Sequence, residues 1–392
     1  MTDNFLNINN NIKSSKIKNV FTGIFAYIIA LIILAFFMMQ SVRNVLANDI
    51  NTNYISQNEE IFEIANELYD EGNYKLCLEF LLQHQDKSPY IAHYIGGLYI
   101  EKKALNNPKE AIHWWKVAAN KGVPASLFNL GLAHEFGDFV EQDYDLAITY
   151  HEMAYKKQYE ESGYRLAKIY KDYKKDYKTA FYYLSEVVLG NNKEIKRDAF
   201  ADLAFLYLNG HYVNVDVKKA VYYMEQAGNL GHYHSMYYAG KAFIFGIKDQ
   251  NISQDYEKGL YYITLAAENG EVDAMMYFVS IFKDNVTSDK EQNIILNYIF
   301  KAASKDNGLA HMYAARVYLD GYGNILPDTK KVLKHIKKAA NLNVPEAQYI
   351  LAAFYSEGIQ GILEQNTKLS DHWLNLSAKN GYEKALDLIN NQ

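Results

Sequence analysis

The residues in this chain that could do chemistry are few and scattered. His232 and His234, either side of Tyr233, come nearest to a metal-ligand pair, but no third ligand stands beside them in sequence. Adjacent Trp114 and Trp115 could form a platform for a sugar ring. One cysteine, Cys77, excludes an intrachain disulfide and a cysteine-built zinc site. No HExxH, GxSxG or phosphate-binding GxxxxGK sequence occurs, so no motif assembles a nucleophile, base or metal. His113, His134, His151 and His335 fall at helical positions and read as structural. Neither catalysis nor a cofactor is expected.

The elements that hold these residues read as helices. With 35 Tyr, 22 Gly and only 5 Pro, the composition favours helices terminated by glycine. Hydrophobic residues at 49% and charged residues at 22% indicate a globular chain. A formal charge of -6 gives no electrostatic footprint for nucleic acid, which is therefore not an expected partner.

Near the amino terminus, residues 20–39 (VFTGIFAYIIALIILAFFMM) carry no charge. As a helix they would span roughly 30 Å, the thickness of a hydrocarbon core. Lys13, Lys16 and Lys18 precede this run, which predicts that the amino terminus stays in the cytoplasm and the rest is translocated. The competing reading is a signal peptide cleaved after Val45-Leu46-Ala47, but the apolar run is longer than such segments use. A single-pass inner-membrane protein with a periplasmic or extracellular body is the expectation.

The body repeats with a period of roughly 36 residues. Ala118-Ala119-Asn120-Lys121-Gly122 returns as Ala227-Gly228-Asn229-Leu230-Gly231, as Ala266-Ala267-Glu268-Asn269-Gly270 and as Ser377-Ala378-Lys379-Asn380-Gly381. Looser copies are Ala302-Ala303 with Gly308, and Ala339-Ala340 with Asn343. After each stop another helix opens on Ser126, Ser162, Ala199, Ser235, Ala274, Ala310 or Ala347, with Ile91 in the first copy. Eight residues on, an aromatic is common: Tyr99, Tyr170, Tyr207, Phe243, Phe282, Tyr318 and Tyr355. The second helix carries Trp114-Trp115, Tyr182-Tyr183, Tyr222-Tyr223 or Tyr261-Tyr262, and recurrence of an aromatic pair favours packing over sugar binding. Each unit is then a pair of antiparallel helices that must stack on its neighbours to bury its apolar faces.

This pattern resembles the Sel-one-like repeat, a branch of the tetratricopeptide superfamily. Ser126-xxx-Leu130-Gly131-xxxxx-Gly137 carries the resemblance, as does Ala199-xxx-Leu203-Ala204-xx-Tyr207-xx-Gly210 running on through Asp216 to Lys219-Ala220. The units at 162–198 and 274–309 depart from it, with Tyr173 and Asn285 in place of the first-helix glycine. The resemblance implies an all-α, right-handed solenoid of stacked antiparallel helix pairs, here preceded by one transmembrane helix, and a role in assembling protein complexes. The expected plan is a tail at 1–19, an anchor at 20–39 and a linker at 40–57. A degenerate hairpin at 58–87, eight repeats over 88–384 and a closing helix at 385–392 would follow.

Positions that vary between repeats are free to contact a partner. Counting the small opening residue as position 1, positions 4, 7 and 11 share a face of the first helix and vary strongly. They read Asn129, Leu132, Phe136; Arg165, Lys168, Asp172; Asp202, Phe205, Asn209; Tyr238, Lys241, Phe245; Tyr277, Ser280, Asp284; and Tyr313, Arg316, Asp320. Tyr, Phe and Arg are the residue types enriched at binding hot spots. The expected function is a membrane-anchored scaffold that gathers envelope, secretion or signalling proteins. The alternative is a module that binds peptidoglycan or another envelope glycan.

Overall fold

The computed structural model describes residues 58–101, 104–286 and 288–390. The expected membrane helix at 20–39, with its tail and linker, lies outside the described residues. Among the described residues no helix is long and apolar enough to cross a membrane. These residues form 19 α-helices and no strand, with only three isolated bridge pairs in loops.

In chain order the helices are α1 (Glu59–Asp70), α2 (Tyr74–Gln83), α3 (Pro89–Ile100), α4 (Pro108–Asn120), α5 (Pro124–Phe136), α6 (Tyr144–Tyr155), α7 (Glu160–Ile169), α8 (Tyr177–Val187) and α9 (Lys193–Asn209). They continue as α10 (Val217–Asn229), α11 (Tyr233–Phe245), α12 (Tyr256–Glu268), α13 (Val272–Phe282), α14 (Asp289–Ser304), α15 (Gly308–Asp320), α16 (Thr329–Asn341), α17 (Pro345–Glu357), α18 (Thr367–Lys379) and α19 (Glu383–Asn390). The chain divides into two compact units, Met1–Ile195 and Lys196–Gln392. Within each, consecutive helices pack on one another as hairpins.

One local device turns seven of the hairpins. The N-cap of the second helix is Asn107, Asp143, Asp176, Asp216, Asp255, Asp328 or Asn366, and its side chain accepts an N–H from the first turn. The backbone N–H of the same residue donates back to the carbonyl of Tyr99, His134, Tyr170, Tyr207, Phe243, Tyr318 or Tyr355, at 2.7–3.0 Å. The recurrent late position of the first helix is thus where the returning chain is tied. The two divergent units differ in detail, the first keeping Asp176 but ending its first helix in another way. In 162–198 a π-helical turn, Tyr170–Lys174, ends at Lys175 with φ +56°, a conformation glycine takes elsewhere. In 274–309 the second helix starts with a capping box between Ser288 and Glu291. The stop after Ala302-Ala303 also differs from expectation: Asp306 takes the positive φ, and Gly308 already belongs to α15.

Small residues set how closely helices approach. Tyr222-Tyr223 and Trp114-Trp115 prove one residue out of register: Trp114 and Tyr223 each stand eight residues before their helix-ending glycine. Trp115 is therefore in the core, fully buried against Gly96 of α3, while Tyr222 is exposed. A buried indole cannot be half of a sugar platform. Cys77 is buried too, its Sγ 3.2 Å from the Ala65 carbonyl, and burial pushes the thiol up to about 12, so no thiolate forms near neutrality.

A Cβ added at Gly96 would land on the Trp115 indole, which has no open space to retreat into. Gly96→Ala is expected to lower unfolding free energy by about 1–3 kcal/mol, read from urea denaturation. An unchanged midpoint would mean that the α3–α4 seam is looser than described.

Candidate functional site

In the first unit part of the variable first-helix face is enclosed. Asn129 and Leu132 on α5 are only 1% and 3% exposed, so neither faces a partner, which corrects the expectation drawn from their variability. The neighbouring Glu135 shows why this face is occupied. Its buried carboxylate is gripped by Arg165 of α7 through two guanidinium contacts, with Nε–Oε2 at 2.9 Å. His151 of α6 brings its Nε2 to 3.5 Å from the same carboxylate. Phe136, half-buried, lies under the Arg165 guanidinium at 5.0 Å. Burial alone would raise the Glu135 carboxyl, but Arg165 and His151 outweigh it and hold it below the usual carboxylate range. Arg165 is thus spent on joining α5 to α7, and Lys168 pairs with Asp172 at 2.7 Å. Asn129 and Leu132 are thus enclosed, while Phe136, Arg165 and Lys168 stay half-buried.

In the second unit none of the named equivalent positions is fully buried, and some are exposed. Tyr238 and Tyr277 are half-buried, and Lys241 places its ammonium 5.4 Å from the Tyr237 ring centre and 5.5 Å from that of Tyr277. Phe205 and Phe245 are exposed at 44% and 62%, and Asp202 is half-buried. Tyr313 and Arg316 share two adjoining hollows of about 160 and 510 Å³ beside α15. The larger is a groove floored by Met312, Val332, Ile336, Ile350 and Phe354. Leu309 and Leu319 at its sides are 51% and 62% exposed. Arg316 pairs only with Asp320, at 3.5 Å and in open solvent, so that pair holds it weakly. Leu309, Met312, Tyr313, Arg316 and Leu319 recur at helical spacing and form one partly exposed stripe of α15, with Met312 and Tyr313 half-buried against the core. Leu309, Met312 and Leu319 were not expected from sequence, since positions 0, 3 and 10 carry no distinctive residue type; an apolar residue there fits a core equally well.

Two buried histidine sites show why these imidazoles are structural. His93 Nδ1 lies 2.7 Å from Ser126 Oγ, joining α3 to α5, and burial lowers its pKa to about 4. His311 and His335 meet Nδ1 to Nδ1 at 2.9 Å between α15 and α16. Burial, then His311 and Lys334, lower His335 to about 4.

Known proteins share this organisation. The family model described as Sel1 repeat matches residues 92–123, 124–159, 164–186, 198–232, 234–271, 308–344 and 345–382. The match passes over the unit with the capping-box turn. The chain is 25% identical over 249 residues to the uncharacterized protein NMB1327 of Neisseria meningitidis serogroup B, covering 62% of this chain and 49% of that protein. It is 25% identical over 207 residues to the chitin synthase regulator SKT5 of Saccharomyces cerevisiae, covering 50% of this chain and 29% of that one. The chain therefore spans about half the length of the first relative and under a third of the second. Among solved structures, c5321, a protective antigen of uropathogenic Escherichia coli strains displaying an SLR fold, is similar with a TM-score of 0.47 at 18% identity, over 79% of this chain and 77% of that one.

Two stability predictions follow from the first unit. Glu135→Gln leaves the Arg165 charge without its counterion and should cost about 3–5 kcal/mol by urea denaturation; a loss under about 1 kcal/mol would mean that solvent replaces the carboxylate. His93 is depressed below its unfolded value of 6.5, so its contribution is whole above that pH and is lost as pH falls toward about 4. At pH 5 this amounts to about 2 kcal/mol relative to pH 7. His93→Gln should flatten the pH dependence of the urea midpoint over that range, and an unaltered slope would assign the dependence to other groups.

Proposed function

This chain belongs to the Sel1 repeat family, and on that premise we propose that it is a protein-binding scaffold held at a membrane, with the groove beside α15 as its docking seat. Sel1 repeat proteins act in general as scaffolds for protein–protein interaction. In this reading residues 20–39 anchor the chain, the amino terminus stays in the cytoplasm, and the repeats face the periplasm. Partners are envelope, secretion or signalling proteins met along the membrane, where anchoring raises the local concentration of both.

The observation that supports docking is the partly exposed stripe Leu309, Met312, Tyr313, Arg316 and Leu319 running into a hollow of about 510 Å³. An apolar floor with a Tyr and an Arg at its edge suits the amphipathic helix of a partner, its apolar side chains inward and polar ones at the rim. Lys283, Arg316, Asp320 and Glu346 line the edge with both signs of charge, so orientation rather than net charge would select the partner. No observation favours the glycan alternative, because Trp115 is buried.

Capture from crosslinked membranes tests this. Full-length protein should retain a defined set of proteins, and Leu319→Asp or Tyr313→Ala should reduce retention at least about tenfold with melting temperature nearly unchanged. Retention that survives Leu319→Asp would move the docking seat elsewhere. Removal of residues 1–47 should release the chain from sedimenting membranes, and protease added to spheroplasts should digest the repeats; protection of the repeats would reverse the proposed topology.

A further inference from the structure

We infer that His234, Glu271 and Asp273 form a binding site for a divalent transition-metal ion of the zinc class, clamping two successive repeats of the second unit. One ring nitrogen of His234 and one carboxylate oxygen from each acid all lie within 4.8 Å of one another. Zinc bonds to such ligands at roughly 2.0–2.2 Å, so one ion between atoms this close reaches all three after small side-chain rotations.

Their meeting follows from the repeat. His234 precedes Ser235 and Asp273 precedes Ala274, so both stand one residue before the small residue that opens a first helix. Stacking of α11 and α13 brings equivalent positions of neighbouring repeats together, and Glu271, the N-cap of α13, completes the set. His232, the sequence neighbour that suggested a histidine pair, is used otherwise: its Nδ1 accepts the Ser235 N–H at 3.2 Å and caps α11.

Glu271 approaches only His234, at 3.4 Å, and Asp273 makes no hydrogen bond or ion pair among the described residues. The nearby cation, Lys241, lies over the rings of Tyr237 and Tyr277 and feels the Asp273 charge without forming an ion pair with it. Two carboxylates and an imidazole thus come together with no Lys or Arg ion-paired to them among the described residues. One nitrogen and two oxygens suit zinc or manganese better than the all-oxygen shells of calcium and magnesium. The Tyr238 ring, edge-on to His234 with centres 4.9 Å apart, restricts the imidazole's rotation as an outer-shell contact does.

The test uses tag-free, full-length protein stripped with EDTA. Calorimetric titration should find one Zn²⁺ per chain with micromolar affinity, and Co²⁺ should give visible absorption bands that Zn²⁺ abolishes. His234→Ala and Asp273→Asn should each weaken Zn²⁺ at least about tenfold, with circular dichroism unchanged, whereas His372→Ala, at an exposed histidine elsewhere, should not. Equal affinity across these variants, or uptake only at millimolar Zn²⁺, would mean scattered surface binding and overturn the site. Uptake of Mg²⁺ in place of Zn²⁺ would overturn the assigned metal class.

Discussion

A first helix and a second helix can form a repeat only if the chain between them reverses without leaving backbone groups stranded. Here one Asp or Asn does this seven times over. Its side chain caps the new helix while its N–H returns to the old one. An N-cap contributes about 0.5–2 kcal/mol, and its larger effect is geometric, since it fixes where the second helix starts. With that fixed, small residues such as Gly96 and Gly240 meet the neighbouring helix closely, and successive helices within each unit pack on one another. The apolar clusters of each unit, from Phe62–Leu98 and Ala92–Tyr159 in the first to Met236–Val317 and Ala315–Leu351 in the second, depend on this register.

The same positions then serve two ends. In the first unit α5, α6 and α7 enclose Glu135, Arg165 and His151, and burial of a carboxylate is tolerated because a guanidinium meets it with two bonds. In the second unit the stripe on α15 has no such internal partner, and apolar side chains stay in solvent beside a groove. Large uncovered apolar surface in an otherwise close-packed array is the kind of feature that marks an interaction surface. Conversely, a variable position is a free one only where no neighbouring repeat has claimed it.

The units that depart most from the repeat remain part of the array because the reversal has substitutes. A π-helical turn ending in a left-handed lysine does the work of a glycine at Tyr170–Lys175, and a Ser–Glu capping box does the work of the Asp at Ser288–Glu291. The family model skips the second of these and covers only part of the first, although both remain helical hairpins.

Sequence alone determined the helical repeat, its period, the small residues at helix contacts and most helix stops, because these follow from local propensity and from spacing along one helix. It also placed Tyr238, Lys241, Tyr277, Tyr313 and Arg316 on one face. Only the tertiary structure decided which faces are covered. Asn129 and Leu132 are buried, Leu309 and Leu319 are exposed, and Trp115 rather than Trp114 is in the core. It alone also brought His234 to Glu271, 37 residues further along the chain. The reason is that burial and proximity across a stack depend on what the neighbouring repeat presents at the facing position. A period read along the chain fixes which positions face each other but not whether the two side chains there pair, clash or leave a groove.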